Sequence, residues 1–391
     1  MALTSTQIYV IVNEVAQQAM GSKAIAVVDN ASLVAVGNSV LGSDATKNNF
    51  VNALTDRIGR TIVSFRAYYS HYPDFERDSI EWGNILQKIK VGMPEAEKDQ
   101  SYDLQDGEGV DMYAINKPKA NQLLFTTETP WQTHITIHLD MLEKAFLNAS
   151  AMGAFISAVF GEVQNRIELA MENLSMDCIN NYIGELYYRN DTSPHRTIKL
   201  LTEFKDETEV DYTTEPEKAL KDENFLKYVV KRINSVSTLL TRMTSNRFNT
   251  PSYSGAGSDR GIYTRHTPTS EQRLMLHMDL VNALKTDVNA KAFNMNQVAI
   301  DIPYLTVPFW QSINSPTDIS VKLASANANT ETISMVMGVL FDREALGTYK
   351  KKYRTSTTPV NSAGLYYNVY YHMITMYFND LTENGVIFVL E

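Results

Sequence analysis

Two histidines stand four residues apart in the stretch HITIH, His134 and His138. Paired imidazoles are a common start to a metal site, and on a helix the pattern HExxH adds a glutamate as general base. Here the intervening residues are Ile135, Thr136 and Ile137, so both rings and Thr136 fall on one face of a strand. A metal-dependent enzyme using His134 and His138 is one reading, and two polar-face residues of a strand is the plain one. DLQDGEGVD, Asp103 to Asp111, has the composition of a calcium loop without its spacing. Positions three, five and twelve are Gln105, Gly107 and Ala114, where a calcium-binding loop places oxygen ligands. A solvated loop tip fits better.

Ser254 to Gly261, SGAGSDRG, is glycine-rich but has no GKS/T and no G-x-G-x-x-G, so it makes no phosphate cradle. Mobility or close backbone approach explains such glycines equally well. There is no G-x-S-x-G elbow. Cys178, the only cysteine, falls on the apolar side of a helical stretch, which describes an inert core thiol. KKKYR, Lys350 to Arg354, is the one dense basic cluster. It could touch phosphate, but lysines also guard strand edges against unwanted pairing. No grouping has the form of an active site, and none calls for a cofactor.

These residues sit in a chain of 391 residues, too long for one ordinary core, so two or more domains are expected. With 44% hydrophobic and 20% charged residues the composition is that of a folded protein. A formal charge of -10 argues against a dedicated nucleic-acid binder, whose footprint is basic. One cysteine excludes an intrachain disulfide and a thiolate zinc site and fits a reducing cytoplasm. The N-terminus, MALTSTQIYVIVNEVAQQAM, has no positive n-region and is broken by Asn13 and Glu14, so it reads as no signal peptide. No stretch approaches the ~20 apolar residues of a membrane span.

Residues 5–20 form an amphipathic pattern, with Ile8, Ile11, Val12 and Val15 on one side. The small-residue run AIAVVDNASLVAVGNSVLGSDATKNN follows; it would make a poor core and is expected as an arm lying along other surfaces. WGNILQKIKVG from Trp82 and QTHITIHLD from Gln132 read as strands flanking a charged tip, Met93 to Lys119, which makes an extended β-arm. From Gly153 to Tyr188 apolar residues recur every three or four: Ile156, Phe160, Val163, Ile167, Met171, Leu174, Cys178, Tyr182 and Leu186. That predicts one rod of roughly 50 Å at about 1.5 Å per residue.

A second helix is expected over 222–246, with Phe225, Val229, Ile233, Val236, Leu240 and Met243 on its apolar face. RLMLHMD reads as a strand and NALKTDVNAKAFNMN as helical; TISMVMGVLFD, KKKYRTSTT and GVIFVLE add strands. GLYYNVYYHMITMYF, Gly364 to Phe378, is a strand of unusual length, roughly 45 Å at about 3.3 Å per residue. Its faces, Leu365, Tyr367, Val369, Tyr371, Met373 and Tyr377 against Tyr366, Asn368, Tyr370, His372, Ile374 and Phe378, both look amphiphilic. It is expected to meet another element on one side and a neighbouring subunit on the other.

Four stretches, LTDRIGRTIV (Leu54 to Val63), WGNILQKI (Trp82 to Ile89), AKAFNMN (Ala290 to Asn296) and GLYYNVYYHM (Gly364 to Met373), occur in this order. Together they resemble the major capsid proteins of small, short-tailed bacteriophages of the phi-twenty-nine type. AKAFNMN and GLYYNVYYHM are the most specific, and the resemblance covers the whole chain. It implies an α+β, Hong Kong 97-type capsid fold. Residues 1–60 would be an N-terminal arm and lead-in, and 76–135 an extended β-arm overlapping a neighbour. The peripheral domain would hold its spine helix within 136–194, the axial domain most of 195–345, and 346–391 would return to the peripheral domain.

The function so implied is a non-enzymatic head shell of many copies, icosahedral or prolate, enclosing double-stranded DNA. Its partners would be itself in pentamers and hexamers, a scaffolding protein, a portal, and DNA held without sequence specificity; no membrane is implied. Assembly would take place in the host cytoplasm, and the product would be the virion capsid. The inter-subunit contacts expected on the β-arm are Trp82, Ile85, Lys88, Lys98, Asp103, Asp106, Lys117 and Lys119. Some relatives carry an immunoglobulin-like domain after this body, whereas here Glu391 follows GVIFVL directly, so no role of that domain is carried over. Nor are the Lys–Asn cross-links of the fold's namesake. A rival reading within the same fold is an encapsulin-like nanocompartment shell.

Overall fold

The computed structural model describes residues 5–21, 25–58, 71–72, 75–77, 85–91, 99, 102–111, 113, 115, 120–126, 128–188, 196–243, 248, 265–285, 300–323 and 330–391. The chain begins with helices α1 (Ser5–Met20), α2 (Asn30–Leu41) and α3 (Asp44–Ile58). Strands β1 (Glu76–Arg77), β2 (Leu86–Val91), β3 (Ala120–Phe125) and β4 (Glu128–His138) follow, then helices α4 (Leu139–Ala145), α5 (Ala149–Ile156) and α6 (Glu162–Tyr188). Next come β5 (Thr197–Lys199), α7 (Leu200–Thr208), α8 (Pro216–Ala219), α9 (Glu223–Leu240), β6 (Gln272–His277) and α10 (Met278–Ala283). The last elements are β7 (Tyr304–Val307), β8 (Ile319–Lys322), β9 (Thr330–Ile333), β10 (Val336–Asp342), β11 (Leu346–Thr357), β12 (Tyr366–Asn379) and β13 (Gly385–Val389). This is an α+β arrangement in two compact units. Among the described residues no helix is long and apolar enough to cross a membrane.

The first unit comprises Met1–Gly83, Thr127–Ser175 and Thr348–Met376. Its α1 buries Ile8, Ile11, Val12 and Val15, the residues the helical period selects. The stretch expected as an arm behaves differently. It folds as α2 and α3, and Leu33, Val36, Val40, Phe50 and Leu54 join the same core as α1, α5 and β12. Asp29 starts α2 by a capping box: its carboxylate accepts from the Ser32 N–H at 2.8 Å, and the Ser32 hydroxyl accepts from the Asp29 N–H at 3.0 Å. The small residues are what allow the packing, since a Cβ on Gly37 would lie 2.7 Å from the Phe146 Cβ.

The sheet of this unit runs β1-β11-β12-β4. β12 and β4 are antiparallel, with Tyr367 opposite Ile137 and Tyr371 opposite Thr133. Contrary to the amphiphilic expectation, one face of β12 is plainly core: Tyr367, Val369, Tyr371 and Met373 are buried. Thr375 and Met376 are buried in succession, after which the even-numbered Phe378 takes the buried side. The strand therefore changes its inner face where its residues pass from the first unit to the second.

The second unit comprises Asn84–Thr126, Met176–Gly347 and Tyr377–Glu391. Its sheet runs β5-β13-β10-β6-β7. β10 and β13 are buried along their whole length, and apart from Asp342 at the end of β10 they hold only apolar residues and glycine, with no alternation. TISMVMGVLFD breaks into β9 and β10 at Met335, whose φ is 56°. α9 covers this core with Phe225, Val229, Ile233, Val236 and Leu240, and Asp222 caps it by accepting from the Asn224 N–H at 3.0 Å. Met243, expected on the same face, lies beyond the helix end and is exposed.

The predicted rod is present as α5 and α6 joined by a π-turn, Ser157–Gly161. Ile156, Val163, Ile167, Met171, Cys178, Tyr182 and Leu186 are buried, and Leu174 is half-buried. The β-arm needs a correction. β2 pairs with β3, from Leu86 opposite Phe125 to Val91 opposite Ala120, whereas β4 belongs to the first unit's sheet. Strand β3 escaped notice because ANQLLF lacks the period-two alternation that marks a half-buried strand.

Candidate assembly surfaces

The two histidines come first, since they carried the one catalytic reading. His134 and His138 are exposed on β4, opposite Tyr370 and Tyr366, with ring centroids 5.8 Å apart in each pair. They are cross-strand aromatic pairs, the ordinary unit of sheet stabilisation. Among the described residues no group of three His, Cys, Asp or Glu side chains could hold a metal. Cys178 is buried, its thiol donates to Asn379 Oδ1 at 2.8 Å, and burial pushes its pKa up to about 12. A thiol so placed is a packing residue.

Among the expected contact residues, Trp82, Lys98, Lys117 and Lys119 lie outside the described residues, as do SGAGSDRG and AKAFNMN. Asp103 and Asp106 are exposed on the tip, which is held by local bonds: the Glu108 N–H donates to Gln105 O at 3.0 Å, and the Tyr113 N–H to Asp111 Oδ1 at 2.9 Å. Gly107, at φ 92°, supplies the left-handed turn between them. The same tip presents apolar groups to solvent: Tyr102 is 86% exposed, and Tyr113 and Ile115 are comparably open.

The β2–β3 ribbon has two unlike faces. Leu86, Lys88 and Lys90 point one way with Leu123 and Phe125, and Phe125 packs on Phe378 at 5.2 Å. Gln87, Ile89 and Val91 point the other way with Gln122 and Leu124, all exposed, as is Ile85 just before the strand. Lys88, expected to meet a neighbour, is engaged within its own chain. Its ammonium lies 2.9 Å from Glu383 Oε1, 3.0 Å from Asp380 Oδ2 and 3.5 Å from Glu344 Oε2. Lys90 sits 2.7 Å from Asp380 Oδ2 and 2.8 Å from Glu383 Oε1, and also bonds the Thr382 hydroxyl. Lys90 is thus surrounded by two carboxylates and a hydroxyl.

The acids belong to the turn between β12 and β13. Burial alone would raise the carboxyls of Asp380 and Glu383, but Lys88 and Lys90 outweigh it and hold both below their ordinary values. For Lys88, burial opposes and the two carboxylates prevail, so its pKa is raised. Arg196 steadies the same turn by donating to Leu381 O at 2.7 Å. Lys90, Asp380 and Glu383 had not been singled out from the sequence. The available signal was two lysines at i and i+2, which on a strand must share a face. At the other basic cluster, Lys350 lies 3.1 Å from Glu76, while Tyr353 and Arg354 are exposed. Strand β1 covers the edge of β11 only at Thr348 and Tyr349.

Among the described residues these arrangements position a ribbon and a sheet edge. Major capsid proteins of Bacillus phages PZA and B103 are 24% and 23% identical over 93% and 99% of this chain, and 68% and 74% of their own lengths. A chain in the capsid structure of Staphylococcus phage Andhra shares the fold at a TM-score of 0.58, with 10% identity over 85% of this chain and 87% of that one. A chain in a structure of the head fiber and inner core protein of native bacteriophage P68 gives 0.55 at the same identity and coverage. The family signature described as "Phi29-like phage major capsid protein" matches residues 9–389. The chain belongs to that family, the structural, non-enzymatic proteins of the phage head shell.

Proposed function

We propose that many copies of this protein, as pentamers and hexamers, close an icosahedral or prolate shell around double-stranded DNA, assembling in the host cytoplasm with a scaffolding protein and a portal. In this reading the α5–α6 rod and strands β11 and β12 belong to the peripheral domain. Most of 195–345 is the axial domain, and 1–60 is the lead-in. The β2–β3 ribbon and its tip form the extended arm over a neighbour, with Trp82, Ile85, Lys98, Asp103, Asp106, Lys117 and Lys119 as its contacts. Lys88 acts one step back, by fixing the ribbon's base. The observation that carries the reading is the tip itself, whose aromatic and aliphatic side chains stand in solvent although the segment is locally ordered by hydrogen bonds. Net charge of -10 suits a wall that does not grip DNA as it fills.

The test is sedimentation of a nuclease-treated lysate from cells producing the protein in its native infection. Large particles carrying this chain and protected double-stranded DNA are expected; small species throughout a productive infection would overturn the reading. Deleting Met93 to Lys119 should leave a folded subunit that forms no closed shells, and normal shells from that deletion would remove the arm's role.

A further inference from the structure

Resting on that reading, we propose that Lys88, Lys90, Asp380 and Glu383 are a specificity element built into the subunit. They fix the direction and register of the ribbon within its own chain, before any copy meets another, and so hold the shell to one size. The ribbon has two anchors in the second unit. At its body end Phe125, opposite Leu86, packs on Phe378. Apolar burial is non-directional, so this contact alone lets the ribbon pivot. Four residues along β2 from Leu86, roughly 13 Å at about 3.3 Å per residue, Lys90 meets Asp380 and Glu383. Two anchors define a line, and both receiving sites lie on one short segment, 378–383.

The second anchor is selective because it is charged and dry. Lys90 and Asp380 are 5% and 1% exposed. Each lysine reaches both carboxylates, at 2.7 to 3.0 Å, and Arg265 approaches Glu383 at 3.7 Å. Sliding β2 by two residues would keep the same face inward but present Leu86 with Lys88, or Lys90 with Gly92, to the acids. Either slip leaves a buried carboxylate short of a partner, and breaking a buried pair is far costlier than the pair is stabilising. The same cluster ties the ribbon to the two turns beside the chain's passages between units. The Asp380 N–H donates to Ala345 O at 2.6 Å and the Lys88 ammonium to Glu344 O at 3.1 Å. Residues 344–347 precede the passage to the first unit, and 377–383 follow a return from it. In a shell of many copies every contact inherits the ribbon's direction, so a spread in that direction becomes a spread in size.

The chain's single cysteine is buried, which makes surface labelling clean. Spin labels on Val91→Cys in the ribbon and Ser235→Cys in α9, both exposed and both in the second unit, report the ribbon's direction in free subunits. The neutral variant Lys88→Met, Lys90→Met, Asp380→Asn, Glu383→Gln removes charges in opposite pairs and leaves none of the four unpaired, so it should still unfold cooperatively. One narrow distance is expected with the native cluster, and a spread about twofold wider in the neutral variant. Its closed shells of native diameter should fall by about tenfold or more, in favour of other sizes and open sheets. The half-variant Lys90→Met with Glu383→Gln keeps Lys88 on Asp380; it should widen the distribution in part, and it carries the test if the full variant does not fold. Glu344→Gln, which removes only the exposed carboxylate 3.5 Å from Lys88, should change neither readout. Uniform shells of native diameter from a folded neutral variant or half-variant would overturn the proposal. So would a native distance distribution in them, or equal broadening in Glu344→Gln. Failure of the wild-type chain to form shells would instead strike the shell reading.

Discussion

Strand β12 leads from one kind of buried polar group to another. Tyr367 and Tyr371, in the first unit, are 2% and 4% exposed, and their hydroxyls meet no hydrogen-bond partner among the described residues. Asp380, directly after the strand and in the second unit, is fully buried and lies against two ammonium groups. The difference is one of charge. A neutral hydroxyl left unpaired costs about 1–3 kcal/mol, which the burial of a whole aromatic ring, 150–250 Å² at roughly 25 cal/mol per Å², readily offsets. An isolated carboxylate has no such compensation and must be paired or protonated. The first region is held by packing and tolerates imperfect polar contacts, while the second stands only if every member is present.

The largest effect that would test this contrast is Asp380→Ala, which leaves Lys90 buried with part of its pairing gone. A loss of about 3–5 kcal/mol in the unfolding free energy of the subunit is expected by denaturant titration. A change under about 1 kcal/mol would mean the cluster is far more hydrated than its burial implies.

Acid should remove part of the same interaction. Both carboxyls have folded pKa values below their unfolded ones, so their contribution is complete above the ordinary carboxylate range near pH 4. It is lost as pH falls through the lower folded values. Lys88 works in reverse: its raised value contributes fully below its ordinary pKa of about 10.4 and is lost as pH rises through the folded one. Unfolding midpoints measured against pH should therefore fall at both ends, and Asp380→Ala should flatten the acid limb.

A smaller loss is expected from Gly338→Ala in β10, where the new Cβ would lie 2.8 Å from the Met275 carbonyl oxygen and 2.7 Å from Leu276 Cδ2. The backbone contact cannot yield as a side chain could, so about 1–3 kcal/mol is anticipated from thermal or denaturant unfolding. Least of all is Tyr371→Phe. It removes an unpaired hydroxyl and keeps the ring, so stability should stay within about 1 kcal/mol of wild type or rise. A loss of 2 kcal/mol or more, on the order of a broken buried hydrogen bond, would show that the hydroxyl has a partner such as water.

Local periodicity made much of this protein legible. The spacing of Ile156 through Leu186 located the long rod, that of Phe225 through Leu240 located α9, and the Gly364–Phe378 run located β12, because residues on one element are bound by its own repeat of 3.6 or 2. At His134 and His138 the sequence left a metal-dependent enzyme open beside the plain strand-face reading, and the fold pairs the two rings with Tyr370 and Tyr366. Which face of β12 is core, whether the small residues of α2 and α3 find partners, and which strand β2 pairs with were settled only in three dimensions. Lys88 shows why. Nothing near residue 88 in the chain announces a carboxylate almost three hundred positions away at Asp380, and a lysine reads as a surface charge until the fold removes its water. The sequence alone determined the repeats, the charge balance and the family resemblance. Pairing and burial belong to long-range contacts, whose energy depends on what the rest of the chain brings to the same place.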